Sequence, residues 1–300
     1  MTSTTTTTSA AEASAAPTPE TEGLKWWHEV LIAGAFYFVY SQVRNSFGAG
    51  PESRSIAFGH AQDIIKIERT LHLWIEPHLQ SWYLSLPAFG YIRFWNIFYG
   101  TAHFIVTIGV LIVAFRKAPA RYRFIRTTLA GTTALALIGF ASFTLMPPRL
   151  LGDTSIYGAC LGQATDCHGY GLVDTIDHWG GLWTFGSGGM AAISNQYAAM
   201  PSLHIGWSTW CALSMVMVIG RGWKRYLWFA YPATTFFCIL VTGNHYWLDA
   251  FFGLVALAGG TLIALFADWL RLKWLARRTV DGDDGTGAPD VGAVTAADAG

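Results

Sequence analysis

YIRFWNIFYGTAHFIVTIGVLIVAF, residues 91–115, is an apolar run with Arg93 as its one formally charged side chain. A helix of about 20 apolar residues is enough to cross the hydrocarbon core of a bilayer, so this stretch reads as a transmembrane span. Working outward from it, five more segments have the same character: about Trp26–Val43, Phe124–Leu145, Leu203–Ile219, Tyr226–Val241 and Ala250–Leu270. The composition agrees. Of 300 residues, 52% are hydrophobic and only 13% are charged, about half the charged share of a soluble domain. With 19 Lys+Arg against 19 Asp+Glu and four cysteines, the chain is neither a basic nucleic-acid binder nor a disulfide-dense scaffold. The predicted fold is all-α: a polytopic membrane protein built as a six-helix transmembrane bundle.

Basic residues set the predicted direction. Arg116, Lys117, Arg121, Arg123 and Arg126 crowd the second link; Arg221, Lys224 and Arg225 the fourth; and Arg271, Lys273, Arg277 and Arg278 follow the last span. The positive-inside rule puts all three clusters in the cytoplasm and, with six spans, both termini as well. Trp26, Trp27, Trp223, Trp228, Trp269 and Trp274 lie at span ends as interfacial anchors. The expected organisation is a disordered cytoplasmic tail over residues 1–23, rich in Thr, Ser, Ala and Pro. A membrane domain follows over residues 24–278, then a second disordered cytoplasmic tail over residues 279–300. The plasma membrane is the expected location.

The outer segments are then about Arg44–Gly90, about Pro147–Pro201 and a hairpin near Gly243–Asp249. Within the first, Ile56, Ile64, Ile67 and Leu71 recur at helical spacing, with Asp63, Lys66, Glu68 and Arg69 between them. This predicts an amphipathic helix lying in the extracytoplasmic interface, with a short second helix at about Pro77–Leu86. The second segment holds Cys160 and Cys167, and spacing leaves a disulfide between them open. Its run GGLWTFGSGGM is a plain loop or a cap over a site; it lacks the Lys-Ser/Thr ending of a phosphate-binding loop. Cys211 and Cys238 fall inside spans as buried thiols.

Three polar clusters come to one side at one depth. FTLMPPRLLG ends the third span with Arg149, NQYAAMPSLHIGW opens the fourth with Ser202 and His204, and VTGNHYWLDAFFG follows the fifth with Asn244, His245 and Asp249. His245 and Asp249 are four apart, so one helical face would bring carboxylate to imidazole. A carboxylate on one ring nitrogen fixes the tautomer and leaves the other free as a nucleophile. A second histidine can protonate a leaving oxygen and then deprotonate an acceptor. A cation and helix-start amides make a phosphate cradle. In the second span Arg93, Asn96, Gly100 and His103 form one stripe; Arg93 reads as either a substrate cation or an interfacial anchor, His103 as an interhelical hydrogen bonder. A zinc site of His204, His245 and Asp249 lacks an evident fourth ligand.

PSLH with GNHYWLD downstream and PPR upstream resembles the type-2 phosphatidic acid phosphatase superfamily, and within it the inositolphosphotransferase branch that includes inositol phosphorylceramide synthases. The resemblance implies a six-helix bundle with an outward-facing site and a reaction needing no metal or other cofactor. It implies that His245 forms a phosphohistidine, Asp249 orients it, His204 is the general acid and base, and Ser202 and Arg149 contact phosphate. Two positions depart from the superfamily pattern: Ser142 replaces the lysine seven before the arginine of the first motif, and Ile239 an arginine six before the nucleophilic histidine. Fewer cations suit a singly charged phosphodiester better than a phosphomonoester. The expected activity is thus phosphotransfer or hydrolysis at a phospholipid head group, with an alcohol such as inositol as a possible acceptor. Two rivals stay open: a phosphomonoesterase on lipid phosphate or prenyl diphosphate, and a non-catalytic lipid-binding or transport protein.

Overall fold

The computed structural model describes residues 25–46, 51–87, 91–155, 157–161, 168–182 and 195–283. The first predicted tail lies outside these residues, as do all but five residues of the second, Cys167 and most of the Gly-rich run. The described chain is helical: α1 Trp26–Ser46, α2 Pro51–Thr70, α3 Glu76–Leu84, α4 Ile92–Lys117, α5 Pro119–Ser142, α6 Thr175–Trp179, α7 Leu203–Ile219, α8 Ala230–Val241 and α9 Trp247–Asp283. Three helices are long and apolar enough to cross a membrane, at Ile92–Lys117, Pro119–Ser142 and Trp247–Arg277; α7 is apolar but shorter. The predicted fifth span is shorter still, because Trp223–Phe229 winds as a 3-10 turn and leaves α8 twelve residues.

The centre of the bundle is α5 against α9, where backbones touch. A Cβ on Gly260 would lie 2.4 Å from Thr132 N and 2.7 Å from Thr128 O, so only glycine fits. Threonines at 128 and 132 return their hydroxyls to carbonyls one turn back, which satisfies them without a partner helix. Small residues at such crossings are how apolar helices gain contact where no hydrophobic drive separates them from lipid. A second close approach joins α7 to α9: a Cβ on Gly253 would meet Ser202 O at 2.3 Å, and the Ser202 N–H donates to Asp249 O at 2.9 Å.

The bundle has two distinct ends. At one, Arg126 on α5 pairs with Glu29 on α1 at 2.5 Å and Arg121 donates to Met217 O at the end of α7. At the other, the end of α5, the start of α7 and the turn from α8 to α9 converge beneath α2 and α3. The amphipathic segment is a helix, but its buried face differs from the predicted one. Ala57, Ala61, Ile64, Ile65 and Glu68 are buried, whereas Ile56, Ile67 and Leu71 are exposed. The face follows the small residues, because α2 packs closely on the core around Leu145, Met146 and Tyr246.

Candidate active site

The turn from α8 to α9 is built by sequence. Gly243 has φ +66, and the Gly243 and Asn244 N–H groups donate back to Leu240 O and Ile239 O, the double bond by which glycine ends a helix. A side chain there would also meet Gln80 Nε2 at 3.1 Å and Arg149 at 3.4 Å. The Arg149 N–H donates to Gly243 O at 2.7 Å, which locks the two motif loops together. Asn244 is buried and donates to Thr242 Oγ1 at 2.8 Å, inside the turn. The helix restarts at Trp247, and Asp249 reaches back over its first turn to accept the Tyr246 N–H at 2.9 Å, as a capping carboxylate does.

That same oxygen, Asp249 Oδ2, lies 3.2 Å from His245 Nδ1. On the far side of the ring His245 Nε2 lies 3.4 Å from His204 Nδ1, a long contact for a hydrogen bond, and His204 Nε2 lies 3.1 Å from Tyr99 O. The His204 ring stacks on Tyr99, centroids 4.1 Å apart, and meets His103 edge-on at 4.4 Å. His103 Nδ1 turns to Tyr99 O of its own helix at 3.0 Å.

This line, Asp249, His245, His204, Tyr99 O, has three gaps and each needs one proton. An ionised carboxylate and two neutral imidazoles bring only two. A third proton, carried by His204, would complete the line and is the one that ring could release to a departing oxygen. Burial pushes the His245 imidazole down to about 3, with the Arg149 charge acting the same way and a backbone hydrogen bond to Ala199 opposing. The ring is then neutral, the state a nitrogen nucleophile requires.

Arg149 is buried. Its guanidinium donates to Asp174 and to Gln196, and Asp174 in turn caps α6 through the Ile176 and Asp177 N–H groups. Ser202 sits at the cap of α7, fully buried, with no hydrogen-bond partner for Oγ among the described residues. Ser142 is exposed and bonds back to Ile138 O, while Ile239 is buried in apolar packing. Neither position supplies a cation.

The fold thus gathers His204, His245, Asp249, Ser202 and Arg149, with Asn244 beneath them. Arg93 is not among them: it is exposed on the first turn of α4. Asp174, Gln196 and Tyr99 were not singled out from the sequence; only Tyr99 had a signal, lying between Asn96 and His103 on α4. A shallow, solvent-open cleft between α4 and α6 is lined by Asn96, Ile97, Gly100, Ile176 and Leu182. Cys160 is disulfide-bonded, and Cys211 and Cys238 are free and buried. Among the described residues no group of three or more His, Cys, Asp or Glu side chains is arranged to hold a metal ion.

The described structure is thus a helical, membrane-type bundle with paired histidines and a carboxylate at one end. Residues 62–263, about two thirds of the chain, match the PAP2 superfamily, and the chain belongs to it. No curated protein and no solved structure matches. Membership supports an enzyme of the phosphatase or phosphotransferase kind, with lipid phosphate as substrate and the membrane as its setting.

Proposed function

We propose that this enzyme transfers or hydrolyses the head group of a phospholipid through a phosphohistidine on His245, at the extracytoplasmic end of a six-span bundle. The observation that carries the reading is the line from Asp249 through His245 to His204, with contacts of 3.2 and 3.4 Å. In the first step His245 Nε2 attacks phosphorus and the bond to the leaving oxygen breaks. His204 protonates that oxygen. In the second step His204 takes the proton of an acceptor hydroxyl as its oxygen attacks phosphorus, and the P–N bond breaks to return neutral His245. The acceptor is water or an alcohol such as inositol. Asp249 holds the tautomer and offsets the charge that develops on the ring. Ser202 Oγ and Arg149 meet the phosphate.

The charge balance favours a phosphodiester over a phosphomonoester. Asp174 already engages Arg149, and Ser142 and Ile239 add nothing. A dianionic monoester would bring a second negative charge against an arginine already shared with Asp174.

The test incubates detergent-purified protein with labelled phosphatidate, phosphatidylglycerol and phosphatidylinositol, with and without free inositol, and separates the products. We expect turnover of the diesters, and loss of turnover and of any acid-labile phosphoenzyme in His245→Ala. Rapid release of phosphate from phosphatidate with the diesters untouched would sink the reading. A lipid affinity unchanged in His245→Ala, with no turnover by either protein, would mark a binding protein instead.

A further inference from the structure

Two carboxyl groups that no step above uses hold the His245 turn from behind. Glu68 near the end of α2 and Glu76 at the start of α3 are both fully shielded from solvent. Glu76 Oε1 accepts the Trp247 N–H at 2.8 Å and Glu68 Oε1 accepts the Leu248 N–H at 2.8 Å. With Asp249 Oδ2 on the Tyr246 N–H, three consecutive amides at the opening of α9 each end on a different carboxyl group. Helix-start amides are the donors a helix cannot satisfy internally, and they favour negative charge. Three full charges so close together would repel, however, and the helix end carries only about half a unit of positive charge.

The remaining oxygens decide the matter. Glu68 Oε2 and Glu76 Oε2 are buried with no hydrogen-bond partner among the described residues, and the two side chains, bound to adjacent amides, act directly on each other. Two bare carboxylates cannot bond. One proton between them turns an orphaned pair into a satisfied one and removes one charge.

We propose that Glu68 and Glu76 are positioning residues for His245, acting as a carboxylic acid–carboxylate pair that shares one proton and fixes the Trp247 and Leu248 amides. The pair thereby sets the angle at which α9 starts, and so the reach of Asp249 back to the imidazole. The proposal rests on the reading of His245 as nucleophile. Burial and the Glu76 charge push Glu68 up to about 9, and burial pushes Glu76 upward as well. The groups facing the pair are Asp249 and the Tyr246 phenol from the start of α9, with the Tyr170 phenol beside the latter; among the described residues no cation acts on either glutamate. The sign follows. A group whose native pKa is raised keeps its proton-linked stabilisation in full below its ordinary range, near 4.5, and loses it as pH rises through about 9. The second charge then appears beside Asp249 and loosens the turn.

The experiment measures kcat and KM from pH 6 to 10 on fluorescent phosphatidylinositol for the wild type, Glu76→Gln, Glu68→Gln, Glu76→Ala and His245→Ala. A glutamine amide donates to the remaining carboxylate as the acid did, with no proton to lose. We expect the wild-type kcat to fall above about pH 9. Each glutamine variant should keep the neutral-pH rate within about threefold and lose that alkaline fall. Glu76→Ala should lower kcat by about 10- to 100-fold with little change in KM, as a misplacement near 1 Å does. Glutamine variants as damaged as Glu76→Ala, or an alkaline fall unchanged by them, overturn the pair. A wild type without turnover, or His245→Ala with full turnover, overturns the functional reading itself and the proposal with it.

Discussion

At the residue scale the site turns on Arg149. Its guanidinium faces Asp174 and Gln196, and its backbone N–H holds Gly243, two residues before His245. Asp174 does two things: its Oδ1 caps α6, and its Oδ2 takes part of the charge that a phosphate would otherwise meet. Asp174→Asn separates them, because an asparagine caps a helix as well as an aspartate does. The variant should leave α6 in place and return a full positive charge to the pocket. We expect kcat/KM on phosphatidate to rise about tenfold relative to phosphatidylinositol, the factor that ~1.4 kcal/mol of recovered attraction gives. An unchanged ratio would mean that Asp174 does not set the preference between monoester and diester.

At the scale of elements, the geometry between histidines belongs to the contact of α7 with α9. His204 rides on α7 and Asp249 on α9, and the two helix starts touch where Gly253 meets Ser202 O. In Gly253→Ala the new Cβ would lie 2.3 Å from that oxygen, which is backbone and cannot turn aside. The start of α7 must move, carrying His204 from His245. We expect a loss of about 1–3 kcal/mol in stability from overpacking and about 100-fold in kcat, read by thermal unfolding and initial rates. Wild-type kcat would show that this contact does not govern the spacing. The same scale explains what the sequence could and could not tell. His204, Ser202, His245, Asp249 and Arg149 were legible because their motifs lie within a few residues, and local spacing carries over into local geometry. Asp174, Gln196, Glu68 and Glu76 join the site through contacts between distant segments, which no spacing encodes. Glu68 was misleading for a physical reason. Four charged residues among four aliphatic ones read as a solvated face, whereas the helix buries its small residues and takes one carboxyl group with them.

At the scale of the whole molecule, the question is how the two ends of the bundle relate to the bilayer. Arg121 touching Met217 O and Arg126 touching Glu29 put the α4–α5 link, the end of α7 and the start of α1 at one end. His245 and Arg149 are at the other. Three helices qualify as spans by length and composition; α7 and α8 must also cross for the basic links to share the cytoplasm, and α1 for the N-terminus to join them. Their surfaces bear on this, since Val30, Leu31, Phe38 and Val39 on α1 and Leu213 on α7 are exposed large apolar residues, which lipid covers at no cost and water does not. Single cysteines test the count. In a background with Cys160 and Cys167 replaced by serine, the buried Cys211 and Cys238 stay unreactive, so any label reports the introduced thiol. Ser155, Lys117, Lys224 and Lys273 are all exposed. With six crossings, Ser155→Cys should react with a membrane-impermeant maleimide in intact cells. Lys117→Cys, Lys224→Cys and Lys273→Cys should react only after permeabilisation. Labelling of Lys224→Cys from outside, with Lys117→Cys protected, would mean that α7 does not cross, and the histidines would then lack a common outer face from which to meet a lipid phosphate.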